Sequence, residues 1–173
     1  MRLRLSTLLC IPWLSVAAQS PLAQRIQGVG TRTVAFSTRA RPEVCGDGAT
    51  SMSDGLGSGR SFMYVEYSGG REWTPPPCVH GPMRVTVRVV EGQPSTLRVM
   101  AGPLPVLGDS VLDLGMVSTT EAGTYLRTLA RRGDGRAAQQ ALLPMILVDS
   151  QSRWDVLADA ARDSTKPQSY RRR

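Results

Sequence analysis

The stretch MRVTVRVVEGQPSTLRVMA, residues 83–101, carries the cleanest alternation in the chain. Val85, Val87 and Val89 fall on one face of an extended segment and Arg84, Thr86 and Arg88 on the other, because successive side chains of a strand point to opposite sides. Glu91, Gly92, Gln93 and Pro94 supply a turn. Residues 95–101 then return with Leu97 and Val99 on a common face. One apolar and one polar face in two adjoining segments predict an antiparallel hairpin in a sheet with one solvated side.

Upstream, Thr31 to Arg39 alternates in the same manner, and Ser61 to Ser68 (SFMYVEYS) is aromatic and β-favouring. Between them lies CGDGATSMSDGLGSGR, residues 45–60, rich in Gly and Ser. WTPPP, residues 73–77, opens a second irregular stretch. Downstream, residues 102–115 mix Gly, Pro, Leu and Asp and read as a connector.

At Ser118 the period changes. Ser118 with Glu121 three positions later is a capping box, and Ala122, Tyr125, Leu126, Leu129 and Ala130 follow with helical spacing. Gly133 and Gly135 end that helix. Ala138, Ala141, Leu142, Met145 and Ile146 form a second stripe, which Leu143 and Leu147 widen enough for cover on two sides. Pro144 interrupts this helix by removing one backbone donor. Ser152 with Asp155 repeats the box, and Trp154, Leu157, Ala158 and Ala161 make a third stripe. Lys166 and Pro167 open a fourth helix that the chain does not complete, so the array reads as a part of a longer one. The expected class is therefore α+β: a small antiparallel β-domain over 19–117 and a helical, repeat-like segment over 118–173.

Residues 1–18 read as a secretory signal peptide. Arg2 and Arg4 precede an uncharged apolar run from Leu5 to Val16, and Val16 and Ala18 provide small residues for cleavage after Ala18. The run is about a dozen residues, short of the roughly 20 of a membrane-spanning helix. Cys10 lacks the small preceding residue of a lipoprotein signal. The expected location is the periplasm or the extracellular space, with no membrane span in the mature chain.

Cleavage would leave Cys45 and Cys78, which pair readily in an oxidising compartment. A bridge closing a loop of 33 positions contributes about 3–4 kcal/mol on the chain-entropy account. The formal charge of +7 counts Arg2 and Arg4 as well as a cluster of Lys166, Arg171, Arg172 and Arg173. Without these, residues 19–165 hold 15 basic and 14 acidic side chains, a net +1. No aromatics interleave with the arginines, so no nucleic-acid partner is expected.

Residues 118–173 resemble the start of a HEAT-repeat-type helical array of the kind found in exported bacterial proteins. The resemblance rests on Tyr125-Leu126, Leu129-Ala130, Ala141 to Pro144, Trp154, Leu157 and Pro167 to Arg171, with departures at Lys166 and Arg171. It implies stacked helical hairpins and a protein partner held along a concave surface.

Other candidate sites yield structural readings. Cys45, Cys78 and the lone His80 fall short of a four-ligand zinc set, and a disulfide beside a surface histidine accounts for them. Asp47 and Asp54 lie in an oxygen-rich loop that lacks calcium-loop spacing. Gly55 to Gly59 lacks the lysine of a phosphate loop. His80 has no serine in a nucleophile motif beside it. Arg132-Gly133-Asp134 coincides with a helix end, where Gly is expected. No cofactor, metal or catalytic residue is assigned. The leading expectation is an exported, non-catalytic binding or scaffold module. The alternative is an exported enzyme or inhibitor whose site lies in the loops from Cys45 to His80.

Overall fold

The computed structural model describes residues 20–48, 51–53, 61–63, 78–132, 135–148, 157–158 and 161–162. The signal peptide with its Ala18 site, Asp54, the Gly55–Gly59 run, Trp154 and the fourth helix lie outside the described residues.

The α+β class is shown. The hairpin of residues 83–101 forms β6 (Met83–Val90) and β7 (Gln93–Ala101). Its turn is tighter than the sequence reading, with only Glu91 and Gly92 between the strands, at φ 51° and 75°. Positive φ at both central residues matches the twist of an antiparallel pair. Pro94 therefore sits inside β7, which it can do because β7 is an edge strand. On the other side of β6 lies β1 (Arg32–Thr38), antiparallel to it with Phe36 opposite Val85.

A fourth strand, β8 (Val111–Met116), completes the order β7-β6-β1-β8. Its first residues lie in the stretch read from sequence as a connector, and it runs parallel to β1. The link from β7 to β8 has to cross the sheet. It crosses the face opposite the helices, where Arg84 Nη1 donates to the Pro105 carbonyl at 2.6 Å. Ala35 is fully buried there, although it points away from Val34 and Phe36.

Helix α1 (Pro21–Gln27) is also an addition to the sequence reading. Ser20 caps it, accepting from Ala23 N at 3.2 Å, and Pro21 occupies the first turn. Helix α2 (Thr119–Arg132) begins where the capping box places it, with Glu121 N donating to Ser118 Oγ at 3.2 Å. The predicted stripe is its buried face. Helix α3 (Gly135–Leu147) contains Pro144 and packs on both α2 and β7, the two-sided cover its wide stripe calls for. Residues 157–158 and 161–162 are helical, with Leu157 packed against the core and Ala161 exposed.

The core runs without a break across the boundary expected between 117 and 118. Leu22 and Ile26 from α1, Val34 and Phe36 from β1, Val85, Val87 and Leu97 from the hairpin, and Leu126, Leu142 and Met145 from α2 and α3 form one buried cluster. Phe36 meets Tyr125 edge-to-face, with ring centroids 5.9 Å apart. Past β1, Arg41 N donates to Leu147 O at 3.0 Å, and Ala40 bridges Val148, which ties the end of α3 to the end of β1. The apolar stripes of α2 and α3 are long enough to cover a sheet, and they do so here.

Both edges of the large sheet carry side-chain contacts. On β7, Leu97 N donates to Gln140 Oε1 of α3 at 2.8 Å. On β8, the Leu114 carbonyl accepts from Arg25 Nη2 of α1 at 2.9 Å, and Gly115 N donates to Asp113 Oδ1 at 2.8 Å. Gly115 has φ +76°, and the β1–β8 register slips between Ala35 and Ser37, so a bulge bends this edge.

A second sheet of short strands has the order β4-β3-β2-β5, from β2 (Cys45–Gly46), β3 (Ser51–Ser53), β4 (Ser61–Met63) and β5 (Val79–His80). Its strands pair antiparallel, and a Cys45–Cys78 disulfide closes it. Of the SFMYVEYS segment, only Ser61–Met63 is described, as β4. The second sheet docks on the end of β7, with Gly48 N donating to Ala101 O at 2.8 Å.

Candidate functional site

The C-terminal ends of parallel β1 and β8 meet the start of β6 at one end of the large sheet. The chain leaves β8 at Met116 and enters α2 three residues later, with Val117 N still donating to Ser37 O at 2.8 Å. This abrupt exit leaves a cleft of about 560 Å³ lined by Arg39, Gly81, Pro82, Met116, Val117, Ser118 and Thr119. The volume falls within the roughly 300–1,000 Å³ typical of ligand sites.

The floor is apolar and the mouth cationic. Val117 is buried, whereas Met116 leaves 68% of its surface open to solvent, a high value for an unbranched apolar side chain beside a cavity. Arg39 is exposed and makes no hydrogen bond or ion pair among the described residues. Ser118 Oγ accepts from Glu121 N, and its hydroxyl proton stays available to donate. Glu121 offsets part of the positive end of the α2 dipole, which leaves Arg39 as the charge that a ligand in the cleft would meet.

One wall of the cleft belongs to the disulfide-bonded sheet. Cys45 pairs with His80 in the β2–β5 register, and His80 leads directly into Gly81 and Pro82. The structure thus gathers Cys45, Cys78 and His80, three residues singled out from sequence. His80 Nδ1 lies 3.1 Å from the Val44 carbonyl. A carbonyl can only accept, so Nδ1 carries the proton and Nε2 is the free position of the ring. This contact makes His80 a staple of the short sheet. Asp47 lies at the end of β2, next to Gly48. Among the described residues, no three of His, Cys, Asp and Glu converge as a metal set would require. Arg132 closes α2; Gly133 and Asp134 lie outside the described residues.

A second void, about 20 Å³ and lined in part by Tyr125, Thr128 and Arg132, has room for a single water. Tyr125 is 5% exposed, and its hydroxyl has no hydrogen-bond partner among the described residues. Burial raises its pKa well above the ordinary value of 10.0, opposed in part by the nearby Arg132 charge. A buried, unmatched hydroxyl destabilises, so Tyr125→Phe is expected to raise the unfolding free energy by about 1 kcal/mol at neutral pH. A group whose folded pKa is raised leaves stability intact below its unfolded pKa and erodes it above, as the unfolded chain ionises first. The gap between variant and wild type is therefore expected to widen above about pH 10. Urea titrations at neutral and alkaline pH check both points, and a variant less stable than wild type at neutral pH would refute the first.

The cleft residues Arg39, Pro82, Met116 and Ser118 escaped sequence reading as a group, because they are distant in the chain. One signal was available: Leu112, Leu114 and Met116 alternate with Asp113 and Gly115. Among the described residues, no helix is long and apolar enough to cross a membrane. No protein-family model, curated protein or solved structure matches the chain.

Proposed function

We propose that this protein is an exported binding module that holds a short segment of a partner protein in the cleft at the end of the large sheet. The observation that carries the reading is Met116, largely exposed beside a roomy apolar floor and an Arg39 without a polar partner among the described residues. Methionine adapts its shape to differing apolar partners, and arginine reads a carboxylate through two parallel hydrogen bonds. The segment that fits is an apolar side chain next to an acidic one. Export is supported by the charged, apolar and small-residue order of residues 1–18 and by a disulfide, which persists in oxidising compartments.

The resemblance of residues 118–173 to helical arrays also points to protein binding. The buried stripes of α2 and α3 favour the cleft over the helices as the binding surface, since those faces lie within the core.

Selection from a random peptide library on the disulfide-bonded protein tests the proposal. Enriched peptides are expected to pair an acidic with an apolar residue. Met116→Asp and Arg39→Glu are each expected to weaken binding by at least about tenfold without lowering thermal stability. Peptides that bind both variants as well as wild type would refute the cleft.

A further inference from the structure

The face of the large sheet turned away from the helices carries a cationic group that the cleft does not use. Arg84, Thr86 and Arg88 on β6 share this face with Thr96 and Arg98 on β7 and Thr33 on β1. Arg84 is committed to the crossing chain and to β1, donating from Nη1 to Pro105 O and from Nε to Ser37 Oγ at 3.4 Å. Arg88 and Arg98 are exposed and have no hydrogen bond or ion pair among the described residues.

The register places Arg88 between Thr33 and Thr96, and Arg98 opposite Thr86. The two arginines are thus diagonal neighbours, about 7–8 Å apart by ladder geometry. Like charges at this distance repel. A sheet that holds them together with no ion pair among the described residues carries a local positive field, in a chain whose residues 19–165 are otherwise nearly balanced at 15 basic to 14 acidic. Asp113, on β8 at the far edge of the same face, accepts from Gly115 N.

We propose that this face binds a linear acidic polysaccharide. Carboxylate- or sulfate-bearing sugars would lie across Arg88 and Arg98, each guanidinium forking onto one anionic group. Thr33, Thr86 and Thr96 set hydroxyls around the pair, matched to the hydroxyls of a sugar chain. The chemistry of the face selects against other polyanions. Among the described residues it offers no aromatic ring for a base to stack on, which a single-stranded nucleic acid uses. Its exposed apolar surface includes Val90, two residues from Arg88, which falls short of the broad apolar face that inserts into a lipid surface. An extended acidic peptide is held best by backbone pairing at a sheet edge, and the edge positions Leu97 and Leu114 already bond to Gln140 and Arg25.

The site is independent of the cleft, so the two readings fail separately. Binding of the disulfide-bonded protein to immobilised heparin and to polygalacturonate is measured against neutral dextran, with polyglutamate in parallel. Wild type is expected to bind both acidic glycans, more weakly as salt shortens the range of the field. The double variant Arg88→Gln/Arg98→Gln is expected to lose at least about tenfold in affinity. A variant with Lys166, Arg171, Arg172 and Arg173 changed to glutamine, and Arg39→Glu, are expected to stay within about threefold of wild type. The inference is overturned by a smaller loss in the double variant, by an equal loss in the variant of the C-terminal cluster, or by polyglutamate binding as tight as that of the glycans.

Discussion

Replacing Phe36 with alanine is expected to lower the unfolding free energy by about 3–5 kcal/mol. Phe36 is the largest of the fully buried side chains among the described residues and sits on β1, an interior strand of the sheet. Its ring meets Tyr125 of α2 edge-to-face, so its removal takes contacts from the strands and the helices together. Domains of this size are stable by about 5–15 kcal/mol, so the loss is a large share of the total. Because the buried cluster spans residues from Leu22 to Val148, strands and helices are expected to unfold in one transition, and the variant to shift that transition as a whole. Calorimetry and circular dichroism on the oxidised protein check this. A helical signal that keeps its own midpoint while the sheet melts earlier would show that residues 118–173 stand apart.

Gly102→Ala is the second large effect, for a different reason. Gly102 has φ +99°, a region that side chains rarely adopt, and an added Cβ would press on the Gly46 carbonyl and lie 3.1 Å from Val79 O. Gly48 and Gly81 face the same seam: a Cβ on Gly48 would press on the Pro103 carbonyl, and one on Gly81 would come within 2.7 Å of Gly102 O. Here the second sheet packs backbone to backbone on the end of β7, an approach that only glycine permits. Backbone strain of about 1–3 kcal/mol and overpacking of about 1–3 kcal/mol predict a combined loss of about 2–6 kcal/mol. Gly108→Ala is the control, because no atom lies within 4 Å of its Cβ position, and its effect is expected to stay within about 0.5 kcal/mol. Chemical denaturation of both variants, with the Cys45–Cys78 bridge intact, decides the matter. Equal stability of Gly102→Ala and Gly108→Ala would contradict the seam.

Elements with their own local pattern were legible in the sequence. The Val85, Val87 and Val89 alternation became the buried face of β6, and the Ser118 box became the start of α2. The Cys45–Cys78 pair was also legible, since two cysteines allow one pairing. Helix α1 is only seven residues long, too short for a stripe to repeat, although Ser20 followed by Pro21 marks its start. Strand β8 hides in a segment rich in Gly and Pro, and its parallel partner lies far off in the chain: Thr33 and Val111 pair across 78 positions. Strands of two residues such as β2 and β5 have no period to read. The cleft was illegible for the same reason as β8, because its lining residues meet only once β1 and β8 lie side by side. The diagonal of Arg88 and Arg98 needed the register that only the folded hairpin supplies.

The contacts at the two margins of the large sheet bear on how the molecule behaves when crowded. An outermost strand with free amides and carbonyls is a template on which a neighbouring copy can lay its own, the first step toward amyloid-like stacking. Here the Leu97 amide is held by Gln140, the Leu114 carbonyl by Arg25, and the bulge at Gly115 turns the backbone out of line. Each guard is a polar side chain from a helix or a single glycine, and none lies in the core. Colloidal stability at high concentration therefore rests on different residues from thermal stability, and the two can be altered separately.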